Sequence, residues 1–107
     1  MDLGLKGKVA IVAASSKGMG KATAMALAAE GSRVTVLARD EAELRRAAEE
    51  IGGRHDAEVL AVPADVTRAD DIQRVVRQTV ERWGTVHVLV NNVLPGAIMT
   101  DRLRQMT

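Results

Sequence analysis

Cysteine, tyrosine and phenylalanine are all missing from these 107 residues, and a single tryptophan is the only aromatic side chain. Without cysteine there is no disulfide framework and no thiolate metal site. Without tyrosine, no phenol can act as a catalytic acid or base anywhere in the sequence. No apolar run approaches the length of a membrane-spanning helix, so no membrane is expected as a partner. The opening Met1-Asp2-Leu3-Gly4-Leu5-Lys6-Gly7-Lys8 also lacks the charged-then-apolar order of a signal peptide, which makes a cytoplasmic location the expectation. Charge is nearly balanced, at +1 overall, so no strong field draws the chain to nucleic acid.

What is present is the composition of an ordinary globular domain, 47% hydrophobic and 27% charged. Val9 to Ala14 form a continuous apolar run ending in Ser15-Ser16-Lys17-Gly18-Met19-Gly20, the pattern of a strand buried on both faces that breaks into a glycine turn. From Gly18 to Glu30 good helix formers dominate, and Gly31 provides a C-terminal stop. Arg33 to Ala38 reads as a second strand. Asp40 with Glu43 reads as the capping box of a second helix whose buried face is Leu44, Ala47, Ala48 and Ile51. Glu58 to Val62 makes a third strand. Thr67 is placed to cap a third helix bearing Ile72, Val75, Val76, Thr79, Val80 and Trp83 at three- and four-residue steps, and Val86 to Val90 makes a fourth strand. Strands alternating with helices imply right-handed crossovers and an α/β fold with a parallel sheet and helices on both faces.

Gly18, Met19 and Gly20 follow a strand and open a helix, the setting in which backbone N–H groups and the helix dipole receive a pyrophosphate. The alternative is a plain strand-to-helix turn. Ala13-Ala14-Ser15-Ser16-Lys17-Gly18-Met19-Gly20 resembles the Thr-Gly-x-x-x-Gly-x-Gly turn of short-chain dehydrogenase/reductases, with Ala14 in the place of the first glycine. The resemblance implies that Ala14, Ser15, Ser16, Lys17, Gly18, Met19 and Gly20 line a dinucleotide. Relatives that use NAD usually end the second strand with an acidic residue for the ribose hydroxyls. Here that residue is Ala38, followed by Arg39, so Lys17 and Arg39 together favour the 2'-phosphate of NADP(H). Either cation taken alone is equally well a solvated surface charge. Asp65-Val66 resembles the family pair that meets the adenine ring, Asp65 accepting from its amino group; its alternative is a residue that only leads into the helix.

His87-Val88-Leu89-Val90-Asn91-Asn92 resembles the family strand ending Val-Asn-Asn-Ala-Gly, but Val93-Leu94-Pro95-Gly96-Ala97-Ile98-Met99-Thr100 resembles a much later family segment, Val-Asn-x-Val-x-Pro-Gly-x-x-x-Thr, near the nicotinamide. Val90-Asn91-Asn92 fits both, as if an internal deletion had joined them there. The resemblance therefore implies a dinucleotide-binding half-Rossmann unit over 1–92, a truncated Rossmann layer of four parallel strands in order 3-2-1-4 with helices one and two on one face and helix three on the other, and a tail over 93–107 that would bring Asn92, Ile98 and Thr100 to the cofactor. In the family the intervening segment holds the catalytic Ser, Tyr and Lys. This sequence has no Tyr, no Ser after Ser32 and no Lys after Lys21, so no catalytic residue carries over. His55, in a polar Gly-Gly-Arg-His-Asp loop, and His87, at the start of the fourth strand, have no visible nucleophile, base or metal partner and are expected to face solvent.

Three functions fit these observations. One is a dinucleotide-binding module without turnover, related by family to carbonyl/alcohol oxidoreductases resembling 3-oxoacyl-carrier-protein reductases. Another is a structural or interaction module that has lost the cofactor. The third is a full oxidoreductase whose middle is missing from the recorded sequence. Loss of the family's later helices and strands predicts uncovered apolar faces and a homo-oligomer.

Overall fold

The computed structural model describes residues 4–13 and 18–90. Seven elements alternate: β1 (Val9–Val12), α1 (Gly18–Ala29), β2 (Arg33–Ala38), α2 (Glu41–His55), β3 (Val59–Pro63), α3 (Ala69–Trp83) and β4 (Val88–Val90). All strand pairs are parallel, as the alternation predicts, and the sheet order is β3-β2-β1-β4, as the resemblance implies.

Strand registry sorts the apolar residues onto two faces. Leu89, Ile11, Thr35 and Leu60 are aligned across the four strands, and so are Val90, Val12, Val36 and Ala61 one residue further on. Because successive strand residues point to opposite faces, the first row meets α3 and the second meets α1 and α2. The core divides accordingly: Ile11, Leu37 and Val62 cluster with Ile72, Val75 and Val76 of α3, whereas Val12, Val34 and Val36 cluster with Ala24 and Ala28 of α1 and Leu44 and Ile51 of α2. Small alanines on α1 let that helix lie close to the sheet beside the bulkier face of α2.

Helix ends follow turn chemistry with two departures from the sequence pattern. Asp40 caps α2 as expected, its side chain accepting from the Glu43 N–H at 3.0 Å. Thr67 does not cap α3: Arg68 occupies the cap position without a side-chain bond, and Thr67 instead bonds to Asp65. The helix starts later because the Thr67 hydroxyl and amide are both turned toward the Asp65 carboxylate. His55 does not lie in a loop. α2 runs through Gly52 and Gly53 to His55 and stops at Asp56, a left-handed residue at φ 52°. Gly52 sits where a Cβ would approach the Ala57 carbonyl oxygen at 3.3 Å, so the chain can fold back at once into β3. His87 is exposed, as expected, and still has a partner: its ring Nδ1 accepts from the Val9 backbone N–H at 3.0 Å while its backbone N–H donates to the Val9 carbonyl at 2.8 Å, which extends the β1–β4 pairing past the end of the strand.

Gly31, after α1, has φ +89° and lies against Lys6; its amide and carbonyl both bond, the carbonyl accepting from Gly7 N–H at 2.9 Å. The Ser32 hydroxyl donates to the Leu5 carbonyl, so the segment before β1 is tied across the lower end of the sheet. Among the described residues no helix is long and apolar enough to cross a membrane.

Candidate dinucleotide site

A parallel sheet places the carboxyl ends of all its strands along one edge, and ligands of such sheets bind outside that edge where the strand order reverses. Here the reversal lies between β1 and β4, closed by the Ala13 N–H donating to the Val90 carbonyl at 2.9 Å. α1 begins beside this point. Its first turn contains no acidic residue, whereas α2 begins with Glu41 and Glu43 and α3 with Asp70 and Asp71. The positive ends of α2 and α3 are thus met by their own carboxylates, whereas the first turn of α1 carries none. Gly18 adopts φ +64°, and a Cβ built there meets nothing within 4 Å. The glycine is needed for its backbone conformation, and it leaves open room at the helix start. Met19 follows it, 77% exposed, and Gly20 is buried against the sheet.

Further along the same edge, a cavity of about 230 Å³ is lined by Arg39, Pro63, Ala64, Asp65 and Asp71. Arg39 directly follows β2, and Asp65 stands two residues past β3, so the ends of adjacent strands hold a cation and a carboxylate at one opening. Asp65 Oδ1 accepts from both the Thr67 N–H at 2.9 Å and the Thr67 hydroxyl at 2.6 Å. Those bonds, the hydroxyl first, hold its carboxyl below the usual range, with smaller contributions from the charges of Arg39 and Arg68. Arg39 has no hydrogen bond or ion pair of its own among the described residues. Val66, beside Asp65, is partly buried against the α3-side core.

The backbone under this opening is held at three successive groups. The Pro63 carbonyl accepts from Arg74 Nη2 at 2.7 Å, the Ala64 N–H donates to the Ala38 carbonyl at 3.0 Å, and the Asp65 N–H donates to Asp71 Oδ2 at 2.8 Å. Sequence reasoning singled out neither Asp71 nor Arg74. Their spacing on a helix resembles any surface ion pair, and only the fold turns them toward the loop after β3.

Of the residues expected at a cofactor, the structure therefore brings Gly18, Met19, Gly20, Arg39, Asp65 and Val66 to one edge of the sheet. Ala14, Ser15, Ser16, Lys17, Asn92, Ile98 and Thr100, together with the junction at Asn91 and Asn92 and the tail, lie outside the described residues. Among the described residues no cluster of His, Asp or Glu could hold a metal ion.

The model of the short chain dehydrogenase family matches residues 8–105. This chain belongs to that family. Over 91 residues it is 37% identical to the 3-oxoacyl-[acyl-carrier-protein] reductase of Synechocystis sp., an alignment covering 82% of this chain and 36% of that protein. Its fold superposes on L-sorbose reductase from Gluconobacter frateurii, solved with NADPH and L-sorbose, with a TM-score of 0.85 and 35% identity over 90% of this chain and 36% of that one. It also superposes on a short-chain dehydrogenase/reductase from Burkholderia phymatum solved with NAD, with a TM-score of 0.76 and 30% identity over 79% of this chain and 30% of that one. The short-chain dehydrogenase sequence described here thus spans about a third of the length of such relatives. Both cofactors occur on this fold among these similar structures.

Proposed function

We propose that this chain is the NADP(H)-binding portion of a short-chain dehydrogenase/reductase whose parent reaction interconverts a carbonyl and an alcohol. The observation that carries the reading is Arg39, without an ion pair among the described residues, at the mouth of the cavity that Asp65 also lines, with Ala38 where NAD-dependent relatives usually have a carboxylate. NADPH in the similar L-sorbose reductase structure supports it. In this reading the segment from Ala14 through Gly20, which leads into α1, receives the diphosphate; Lys17 and Arg39 hold the 2'-phosphate; and Asp65 with Val66 meets the adenine. Asn92, Ile98 and Thr100 belong to the nicotinamide side, so the unit over 1–92 binds most of the cofactor and the tail over 93–107 completes it. The nicotinamide, when bound, supplies or accepts the hydride.

These 107 residues hold no Tyr, no Ser after Ser32 and no Lys after Lys21, so they do not by themselves activate a carbonyl in the family's manner. Proton transfer from a placed side chain commonly contributes about 10²- to 10⁴-fold, and that contribution is absent here. Among the described residues Met19 and Val80 are the exposed large hydrophobics, while Val86 and Leu89 are only partly covered beside the β4 edge. A second copy covering that edge makes a homo-oligomer, in the cytoplasm, the expected state.

Calorimetric titration of the 107-residue chain with NADPH and NADH at matched low salt tests the binding, and an NADPH-oxidation assay with ketones and aldehydes tests the lack of turnover. NADPH should bind more tightly, without oxidation above a buffer control. Binding of neither dinucleotide overturns the reading in favour of a structural module. Sustained turnover overturns the incompetence, and an intact mass above that of 107 residues restores a full oxidoreductase.

A further inference from the structure

The three backbone anchors beneath the cavity do more than close a loop. Ala38 and Ala64 are bonded to one another, and each immediately precedes a residue at the mouth, Arg39 and Asp65 respectively. This bond sets the spacing between the two strand ends. It does not set the direction in which Asp65 leaves the strand. That direction depends on the next peptide, whose N–H is held by Asp71 from the first turn of α3, while Arg74 one turn on holds the Pro63 carbonyl. Asp71 is itself occupied by protein: Oδ2 accepts from the Asp65 amide, and Oδ1 lies 3.6 Å from Arg74 Nη2. Asp65 is different. The bonds from Thr67 both fall on Oδ1, so Oδ2 is the oxygen left to accept from a ligand.

Resting on the dinucleotide reading above, we propose that Asp71 is a positioning residue for base recognition, fixing the Asp65 backbone so that the Asp65 carboxylate meets the 6-amino group of adenine. An acceptor aimed at that group discriminates between purines. Adenine presents an N–H donor at position 6, whereas hypoxanthine presents a carbonyl oxygen that a carboxylate repels. A group that merely stabilised the fold would alter the binding of both bases alike; a group that aims Asp65 alters the ratio between them.

The test compares NADP⁺ with its deaminated analogue, nicotinamide hypoxanthine dinucleotide phosphate, by calorimetry on the full chain. A charge-assisted hydrogen bond in place of a repulsion corresponds to about tenfold or more in affinity, so the unaltered chain should prefer NADP⁺ by about that factor. Asp71→Ala should bring the preference to within about twofold of unity. Asp71→Asn keeps an acceptor for the Asp65 amide and should retain most of the preference, although it loses the charge facing Arg74. If Asp71→Ala fails to fold, Asp71→Ser, polar at the helix start but too short to span to the amide, is read in the same way. Retention of the full preference in Asp71→Ala or Asp71→Ser overturns the positioning role and leaves the NADP(H) reading standing. Equal binding of both dinucleotides by the unaltered chain, or binding of neither, removes the adenine contact and the inference with it.

Discussion

The hydroxyls of Thr35 and Thr79 meet at 2.8 Å inside the α3 side of the sheet, both fully buried. Thr79 also donates to the Val75 carbonyl of its own helix at 2.8 Å, and a hydroxyl has one proton, so Thr35 is the donor between the two. Thr79→Val should therefore be the more damaging change, leaving the buried Thr35 proton unsatisfied at a cost of about 1 to 3 kcal/mol. Thr35→Val leaves every proton with an acceptor and should cost less. The double Val variant should be more stable than Thr79→Val alone. Urea unfolding followed by the emission of Trp83, at the end of the same helix, measures all three; strict additivity would contradict the donor assignment.

The cofactor reading predicts a reversal. Ala38→Asp combined with Arg39→Ala should turn a preference for NADPH into one for NADH, because the new carboxylate repels a 2'-phosphate and accepts from ribose hydroxyls. A well-formed contact from Arg39 to the phosphate is worth about 1.5 to 3 kcal/mol, or roughly tenfold or more in affinity. Titrations at low salt avoid screening. An unchanged ratio in the double variant would make Arg39 a plain surface charge.

Two carboxylates predict how stability responds to acid. Lys21 of α1 donates to Glu50 of α2 at 2.9 Å, and this hydrogen bond first, then the lysine charge, lowers the Glu50 carboxyl below its usual range. Asp65 is lowered by Thr67. A carboxyl lowered in the folded state adds stability that is fully present above its unfolded pKa and is lost as pH falls through the folded value. The urea midpoint should hold steady near neutrality and begin to fall below about pH 5. Lys21→Met should make that fall shallower, and an unchanged slope would remove Glu50 as a contributor. Glu50 is solvent-exposed enough that added salt should have a similar, smaller effect.

Gly31 and Gly84 both end helices with positive φ, +89° and +85°, but only Gly31 has neighbours where a Cβ would stand, with Lys6 Cγ at 3.2 Å. Alanine at either position incurs the left-handed strain of about 1 kcal/mol. Gly31→Ala should lower stability further, since Lys6 must move and the segment before β1 is tied at the same place. Thermal unfolding of the two variants separates the effects; equal losses would mean that Lys6 yields freely.

Much of this short-chain dehydrogenase was legible in its residues. Buried strands such as Val9–Val12, the stripe of Ile72, Val75 and Val76, the Asp40 cap and the stop at Gly31 are local signals, each set by residues within a turn or two of one another. Alternation of those elements was enough to imply a parallel sheet with helices on both faces, and the family resemblance added the strand order. Arg39 and Asp65 were visible as candidates because the segments around them resemble the family's adenine-side segments, and strand ends in a parallel sheet share an edge.

What tertiary structure decided are contacts between residues whose separation or partner no local pattern encodes. The His87 ring bonds to Val9, 78 positions away, because parallel pairing brings the start of β4 beside the start of β1. Thr79 looked like one more member of an apolar stripe until β2 placed Thr35 opposite it, 44 positions earlier. Thr67 looked like a cap, and Asp65 took its hydroxyl because the loop after β3 turns before the helix begins. Asp71 and Arg74 read as surface charges by their spacing; the packing of α3 beneath the end of β3 aims them at the backbone of the loop that carries Asp65. Helix and strand preference act over a few residues, whereas a side chain's partner depends on which distant elements the hydrophobic core draws together.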